Sequence, residues 1–399
     1  MPPTSETINL FAPEVRADPY PTYAMLRQHH PVCPVEPGGF WAISRYADVI
    51  AVLKSAERFS SAGFRPLFEP EWLGHNPGAH TMLSMDPPEH GKNRSLVNRV
   101  FSPAIVTRTE PAIRARIARL TDRLAEQGAC EFVGDFATPL TSGVIGDFLA
   151  LDPSAHSKFK HWSDTMSGIT PVPLSAEHAD TVRSTVKEME GYFGSVIDER
   201  KQAPGEDLVS RLAKAEIDGQ SLTREELIAF LFLLVVAGLD TTVHLISKSI
   251  ITLSDRPALV AQLRATPALI PRFIEEMLRY DPPTHNLFRQ ATEDSEIAGV
   301  RVPAGTFVMV MLASANRDPD QFPDPDRFDL ERASQGGIAF GHGAHFCLGA
   351  VLARLEGRAA LEALLARFKG IEREPGDIEW QHTLTVRGPA RLPVRVVPA

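Results

Sequence analysis

Hydrophobic positions recur every three or four residues over most of the chain, a spacing that predicts amphipathic helices. The segment Glu110 to Gly128 has this spacing and ends at a glycine, a common helix stop. A second such segment runs from Ala350 to Phe368. A third begins at Thr223, where Thr-Arg-Glu-Glu forms a capping box, and its apolar pattern continues to about Ser254. We therefore predict a mainly α protein built on long helices.

Strand patterns are few and lie in three places: Phe-Trp-Ala-Ile-Ser near residue 40, residues 300–314, and residues 384–397. They predict a small β-rich region beside the helical body, and no linker divides the chain, so we expect a single domain over residues 1–399. Between the elements, the proline- and aromatic-rich segment 64–78 is read as a surface loop, with a lid as the alternative.

Composition and charge exclude several classes of protein. The net charge of −9 and the pI near 5.8 argue against a nucleic-acid partner, because such proteins carry basic surfaces. The first residues lack the features of a secretory signal, and the longest apolar run, 227–238, is too short to cross a bilayer. The three cysteines are too far apart for a disulfide framework. We expect a cytoplasmic protein without a membrane partner.

Cys347 lies in the glycine-rich stretch Phe-Gly-His-Gly-Ala-His-Phe-Cys-Leu-Gly, residues 340–349. A thiol at a helix N-terminus meets unpaired backbone N–H groups, which favours a lowered pKa. Such a cysteine can be a nucleophile, a metal ligand or a haem ligand, and the alternative is a buried structural thiol. A zinc site is disfavoured because no second thiol is near and His342 and His345 are too close along the chain.

The stretch resembles the Phe-x-x-Gly-x-x-x-Cys-x-Gly signature of the haem-thiolate cytochrome P-450 family, at Phe340, Gly343, Cys347 and Gly349. Three further family motifs follow the expected order: His-Gly-Lys-Asn-Arg at 90–94, Ala-Gly-Leu-Asp-Thr-Thr at 237–242, and Glu-x-x-Arg at 276–279. The resemblance covers the chain from about residue 15 to its end. It implies the cytochrome P-450 fold of the soluble bacterial type.

The resemblance also implies a non-covalent haem b with Cys347 as the proximal thiolate ligand, which favours O–O cleavage. Phe340 would pack near the sulfur, and Gly341, Gly343 and Gly349 would let the loop lie under the porphyrin. The residues expected to meet the haem propionates are His90, Arg94, Arg289 and His345.

The motif in the long helix implies the distal machinery. By resemblance, Ala237 and Gly238 open a groove for dioxygen, Thr241 holds water or the bound peroxide, and Asp240 helps to relay protons. The alternative is a threonine that bonds back to the carbonyl four residues earlier and only bends the helix. Glu276 and Arg279 are expected to form a buried structural pair, and residues 314–332 resemble the family's meander region.

The substrate pocket is expected between the long helix, the aromatic segment, the stretch before Arg289 and a C-terminal hairpin. The candidate lining residues are Phe64, Phe68, Leu233, Val236, His285, Asn286, Leu287, Leu384 and Thr385. Most are apolar, whereas His285 and Asn286 would be polar anchors if they face inward; the alternative is that both bond backbone in the turn.

The resemblance implies a monomeric monooxygenase that inserts one oxygen atom of O2 into a medium-sized, largely apolar molecule of specialised metabolism, by hydroxylation or epoxidation. Electrons would come from NAD(P)H through a ferredoxin and its reductase, docking near Lys92, Arg99, Arg354 and Arg358. A peroxide-driven peroxygenase or isomerase is one alternative, and a non-enzymatic haem sensor is another.

Overall fold

The structure is a computed structural model that describes residues 8–169, 174–332, 337–381 and 383–398. Its helices are α1 (Pro13–Ala17), α2 (Tyr20–His29), α3 (Tyr46–Lys54), α4 (Arg65–Phe68), α5 (Glu89–Val100), α6 (Pro103–Gln127), α7 (Thr138–Phe148), α8 (Phe159–Ser167), α9 (Ala176–Gln202), α10 (Leu208–Lys214), α11 (Arg224–Ser254), α12 (Pro257–Ala265), α13 (Ile270–Tyr280), α14 (Leu312–Ala315) and α15 (Ala350–Arg367). Its strands are β1 (Val32–Val35), β2 (Phe40–Ile43), β3 (Phe59–Ser60), β4 (Ala129–Glu131), β5 (Glu216–Ile217), β6 (Gln220–Ser221), β7 (Asn286–Ala291), β8 (Ser295–Ile297), β9 (Val300–Val302), β10 (Phe307–Met311), β11 (Phe368–Arg373) and β12 (Pro393–Pro398).

The predicted helices are confirmed, with one boundary corrected. Helix α6 begins at Pro103 rather than Glu110 and carries Pro111 in its interior. The sequence-based start was late because a proline normally interrupts a helix. At the other end the prediction was right, since Gly128 follows the helix with φ +70°, a conformation that glycine adopts without strain.

Helix α11 is the central helix of the main core and is continuous through the Ala-Gly-Leu-Asp-Thr-Thr motif. Its capping box is present: Thr223 N–H donates to Glu226 Oε2 (2.7 Å), and Glu226 N–H donates to Thr223 Oγ1 (3.2 Å). Its length and composition would suffice to cross a membrane, but 72% of its most apolar window is buried inside the protein. It is the core helix around which the others pack.

Two sheets form most of the β-rich region. One has the strand order β1-β2-β10-β7-β3, with β2 and β10 parallel, and the other has the order β11-β12-β4. The three predicted strand regions contain β2, β9 with β10, and β12. However, residues 312–314, the end of the second predicted strand region, belong to the short helix α14.

The segment 64–78 is not the open surface loop that its prolines favoured. It contains α4 and leads into a 3-10 turn, Pro77–His80, that packs against α11. Asn76 is completely buried, and its side-chain amide donates to the Phe68 carbonyl oxygen (2.7 Å). Buried polar groups of this kind fix a segment's conformation because each satisfied bond would be costly to lose.

Candidate active site

Cys347 lies on a tight loop between α14 and α15. Its backbone N–H donates to the Phe340 carbonyl oxygen (3.0 Å), which closes the loop. Gly341 and Gly343 have φ of +73° and +74°, and a Cβ on Gly343 would lie 2.9 Å from the Leu53 carbonyl oxygen. Only glycine fits such a position, so these glycines determine the loop's shape. Helix α15 starts immediately afterwards, with Gly349 as its N-cap.

The thiol of Cys347 has a raised pKa, which corrects the expectation of a lowered one. Burial of the sulfur among protein atoms raises the pKa, although part of the residue is exposed at the surface of the site. Backbone N–H groups of Gly349 and Ala350, with Arg94 and Arg354, act in the opposite direction. Coordination to a metal ion removes the proton from such a thiol outright.

Arg354 supports the cysteine loop from the side of α15. Its guanidinium lies 4.5 Å from the Phe340 ring centroid and forms an ion pair with Glu275. The other basic residues expected at a docking face are also engaged: Lys92 with Glu226, Arg358 with Glu110, and Arg99 with the Glu216 carbonyl oxygen. Lys92 and Arg358 are therefore paired with acids of this chain, and Arg99 is held by a backbone carbonyl.

His90, Arg94, Arg289 and His345 come together beside the loop. The His90 and His345 rings lie 4.1 Å apart, and Arg94 donates to the Phe346 carbonyl oxygen (2.8 Å). Burial and the neighbouring positive charges lower the pKa of His345 to about 3, and burial lowers the pKa of Arg289 to about 10. His90 Nε2 is buried without a hydrogen-bond partner among the described residues.

The positive charge of this cluster comes from Arg94 and Arg289, because the lowered pKa values of His90 and His345 keep both rings neutral. Asp86 is the acid beside the cluster, and one acid against two arginines leaves room for an anion. Haem carries two carboxylate groups, and arginine pairs with carboxylate in a planar, bidentate geometry. The residues present therefore fit a haem: Cys347 would hold the iron, and the cluster would hold the propionates.

One face of α11 is open in an otherwise buried region. Ala237 is exposed and Leu233, Val236 and Thr241 are half-buried, whereas Leu239 and Thr242 are buried. The exposed positions repeat at intervals of four residues, so they share a face. Helix α15 packs against α11 and thereby holds the cysteine loop in place relative to it.

Thr241 and Gly238 make contacts within the protein. Thr241 Oγ1 donates to the Ala237 carbonyl oxygen (2.9 Å), the back-bond that was the alternative to a catalytic role. The bond leaves the lone pairs of the hydroxyl free to accept a hydrogen bond. A Cβ on Gly238 would lie 3.3 Å from Ile145 Cδ1, so the glycine allows close approach of α7 to α11.

Asp240 points toward α8 and is buried (4% exposed). Ser163 Oγ donates to Asp240 Oδ2 (2.8 Å), and Lys160 Nζ lies 3.5 Å from Oδ1 and also pairs with Asp164. Sequence reasoning missed Lys160 and Ser163. Their spacing of three residues places both side chains on one face of α8, but nothing in the sequence shows that this face meets Asp240.

Glu276 and Arg279 form the buried structural pair that the sequence predicted. Two parallel hydrogen bonds of 2.8 Å join their side chains, which are 2% and 0% exposed. Arg279 also donates to the carbonyl oxygens of Asn316 and Pro325, and Glu276 accepts from the Asp329 N–H. The pair thus fastens α13 to the segment before the cysteine loop.

The aromatic residues expected at the substrate pocket form a cluster. Phe64 stacks on Phe288 at 4.8 Å, and the Phe68 ring lies 5.5 Å from Phe64. Leu287, on the opposite face of β7, lies 3.6 Å from where a Cβ on Gly341 would be. This places Leu287 against the cysteine loop.

The C-terminal hairpin meets the start of β7 as expected. The N–H groups of His285 and Asn286 donate to the Thr385 carbonyl oxygen (2.8 and 3.2 Å), and the Asn286 amide donates to the Leu384 carbonyl oxygen (2.6 Å). Leu384 is half-buried and Thr385 is exposed. Asn286 therefore uses its amide on backbone, which was the alternative to a pocket role.

His285 does not face the site as a polar anchor, so of the two alternatives that the sequence left open, a role within the protein is the one observed. Its ring is buried, with Nδ1 3.1 Å from Tyr23 Oη and Nε2 3.5 Å from Asp281 Oδ1. Burial lowers its pKa to about 3, so it is neutral in the folded protein. The ring joins α2 to the end of α13 and has a structural role.

Glu356, on α15, is a further buried acid that the motifs did not single out. It is 1% exposed, and burial raises its pKa to about 8; its Oε2 has no hydrogen-bond partner among the described residues. Between its ordinary pKa of 4.5 and about 8, the folded protein therefore holds one proton more than the unfolded chain at this position. The free energy of unfolding falls over this range as the pH rises.

We expect Glu356→Gln to become more stabilising, relative to the wild type, as the pH is raised from 5 to 8, because glutamine carries no charge to bury. Each pKa unit corresponds to about 1.4 kcal/mol, so the difference across this range amounts to several kcal/mol. Urea unfolding at both pH values measures it. Glu362→Gln, at a half-buried position on the same helix, is the control. An equal effect of Glu356→Gln at both pH values would contradict the assignment.

Comparisons with known proteins agree with this site. The family model described as Cytochrome P450 matches residues 268–391. The monooxygenase PikC of Streptomyces venezuelae is 38% identical, covering 95% of this chain and 91% of its own. Erythromycin C-12 hydroxylase of Saccharopolyspora erythraea is 38% identical, covering 89% of each. The structure of the cytochrome P450 CYP109Q5 from Chondromyces apiculatus superposes on this chain with a TM-score of 0.91 at 38% sequence identity. The match covers 98% of this chain and 99% of CYP109Q5. The chain therefore belongs to the cytochrome P450 family and is an oxygen-incorporating oxidoreductase.

Proposed function

We propose that this enzyme hydroxylates or epoxidises a medium-sized, largely apolar molecule of specialised metabolism. The observation that carries the proposal is the open face of α11, with Leu233, Val236 and Ala237, in the same core as the cysteine loop. An apolar lining with few polar groups suits an apolar ligand. The name of one relative, a hydroxylase of erythromycin, is in keeping with this class of substrate.

One set of site residues would hold the cofactor, and a second set, on α8 and α11, would transfer protons. Bound haem supplies the chemistry that activates dioxygen. Cys347 holds the iron, and His90, Arg94, Arg289 and His345 hold the propionates. Phe340, Gly341 and Gly349 would shape the loop that carries Cys347, and Ala237 would leave room at the open face of α11, whereas Gly238 lets α7 approach α11 closely. The aromatic cluster with Phe64 and Phe68 bounds the substrate site, together with Leu287, Leu384 and Thr385.

Protons enter from the side of α8. Asp240 receives them there, since Lys160 and Ser163 reach its two carboxylate oxygens. Thr241 acts at the open face: its own hydrogen is held by the Ala237 carbonyl oxygen, so Oγ1 accepts a hydrogen bond from the water that delivers the proton. This arrangement positions a proton donor and keeps it from exchanging freely with solvent.

The enzyme takes its electrons from NAD(P)H through a ferredoxin and its reductase, and acts as a cytoplasmic monomer with residues 1–399 as one domain. Consumption of O2 and NAD(P)H with surrogate ferredoxins, followed by product identification, tests the proposal. Turnover with hydrogen peroxide alone, at a rate equal to or above that with the ferredoxin system, would favour the peroxygenase instead. A non-enzymatic haem sensor would consume neither O2 nor NAD(P)H.

We expect Thr241→Ala to bind substrate and consume NAD(P)H, but to release peroxide in place of product. Positioned proton transfer contributes about 10²–10⁴-fold, so the fraction of electrons recovered in product falls at least about tenfold. Thr242→Ala is the matched control, because Thr242 is buried on another face of the helix. Equal recovery of electrons in product by Thr241→Ala and the wild type would remove Thr241 from the mechanism.

A further inference from the structure

The segment Glu69–His80 brings two imidazoles and a carboxylate together, away from the cysteine loop. Glu69 Oε1 lies 3.1 Å from His75 Nδ1, and Glu69 Oε2 lies 3.0 Å from His80 Nε2. The two rings are 5.5 Å apart, and the ligand atoms of all three residues lie within 4.8 Å of one another. Glu69 is half-buried, whereas both histidines are accessible to solvent.

We propose that Glu69, His75 and His80 form a binding site for Zn²⁺ or a similar divalent transition metal. Imidazole and carboxylate are ligands that Zn²⁺ prefers, at about 2.0–2.2 Å. In a tetrahedral site with these bond lengths the ligand atoms lie roughly 3.3 Å apart. The two nitrogen-to-oxygen distances observed are close to this value, although each involves a different oxygen of Glu69. Three protein ligands leave the fourth position to water. Mg²⁺ is excluded because it prefers an all-oxygen shell.

The surroundings of the site favour a cation. His75 and His80 line a cavity of about 270 Å³. Its charged lining residues are Glu89, Glu190, Glu225, Glu226, Arg65 and Arg224. Arg65 pairs with Glu89, Lys92 pairs with Glu226, and Arg224 pairs with Asp198 outside this set. The excess negative charge of the lining therefore comes from Glu190 and Glu225. A cavity of one sign raises the local concentration of ions of the opposite sign.

The carboxylate is already oriented toward the histidines. The Asn76 N–H donates to Glu69 Oε1 (2.8 Å), and the buried Asn76 side chain fixes the same turn. Outer contacts of this kind hold metal ligands in place. A metal-free reading also exists, in which both imidazoles donate N–H hydrogen bonds to Glu69. The two readings differ in the tautomer, since metal binding needs the ring lone pairs at His75 Nδ1 and His80 Nε2.

Calorimetric titration of the haem-loaded full chain with ZnCl2, after chelation and desalting, distinguishes these readings. We expect one Zn²⁺ site that is lost in His75→Ala/His80→Ala, and no response to MgCl2. Glu69→Gln should weaken the site by more than about tenfold, because loss of even an outer partner of a metal ligand costs about 10–100-fold. Hydrogen exchange in residues 69–80 should slow when Zn²⁺ is added to the wild type only.

His29→Ala/His30→Ala is the matched control, because it removes another adjacent pair of exposed histidines. It should bind Zn²⁺ as the wild type does. The single variant His75→Ala is included because this side chain is 61% exposed, so its removal should not disturb folding. The haem spectrum of each variant shows whether the protein is folded. Zn²⁺ binding of equal affinity and stoichiometry in the wild type and in His75→Ala/His80→Ala, or no binding to the wild type, would overturn the proposal.

Discussion

We expect Cys347→His to lose the strongly red-shifted Soret band of the ferrous carbonyl complex, together with all product formation. A thiolate donates electron density to the iron and favours O–O cleavage, whereas a neutral imidazole donates less. The substitution is compatible with folding because the residue is exposed and the bond from its N–H to the Phe340 carbonyl oxygen belongs to the backbone. Absorbance of the reduced, CO-treated protein measures the result.

The other two cysteines provide the control. Cys33 and Cys130 are half-buried, and burial raises the pKa of each thiol, to about 11 and about 12. Cys33 is in β1 and Cys130 is in β4, outside the cysteine loop, so Cys33→Ser and Cys130→Ser should keep the red-shifted band. If Cys347→His also keeps it, the iron is held by a different residue and our assignment of the ligand is wrong.

Glu276→Ala should yield little folded, haem-loaded protein. The substitution leaves the Arg279 guanidinium, which is fully buried, without its carboxylate, and it removes the acceptor of the Asp329 N–H. Breaking a buried ion pair by removing one partner costs about 3–5 kcal/mol, a large part of the stability of most domains. The yield of protein with the haem absorbance, and its urea unfolding midpoint, measure the effect.

The neighbouring residue offers a matched comparison on the same helix. Glu275 pairs with Arg354, but these side chains are 21% and 36% exposed, so water can replace the lost partner. We expect Glu275→Ala to cost no more than about 1 kcal/mol, as exposed pairs do. If both variants bind haem equally well, burial is not what makes the pair at 276 and 279 important.

Local patterns predicted the helices and the motifs because their causes are local. The capping box at Thr223 and Glu226 needs only two residues that are three positions apart. Glycines in the cysteine loop indicate positive φ angles, which other residues rarely adopt. The pair at 276 and 279 was predicted from the family motif. What the motif does not contain is the set of carbonyl oxygens, from 316 to 327, that Arg279 also binds.

Other features depend on packing between distant parts of the chain. The lowered pKa expected for Cys347 followed from the helix N-terminus, but burial by other elements outweighs it. The sequence left open whether His285 faces a ligand or bonds within the turn, because the decision depends on Tyr23, which lies more than 250 positions earlier and binds its ring. The contacts of Lys160 and Ser163 with Asp240 could not be predicted because they depend on the packing of α8 against α11.

The parallel pairing of β2 with β10 joins residues 41–43 to residues 308–310. A ribosome adds roughly 5–20 residues per second, so the earlier strand waits roughly 15–50 s for its neighbour to be synthesised. Until then β1 is the only one of its two partner strands available to β2, so the other edge of β2 has no partner and is open to pairing with other chains. Slow translation or high expression therefore favours aggregation of the nascent chain, and chaperones that cover this edge should raise the yield of recombinant enzyme.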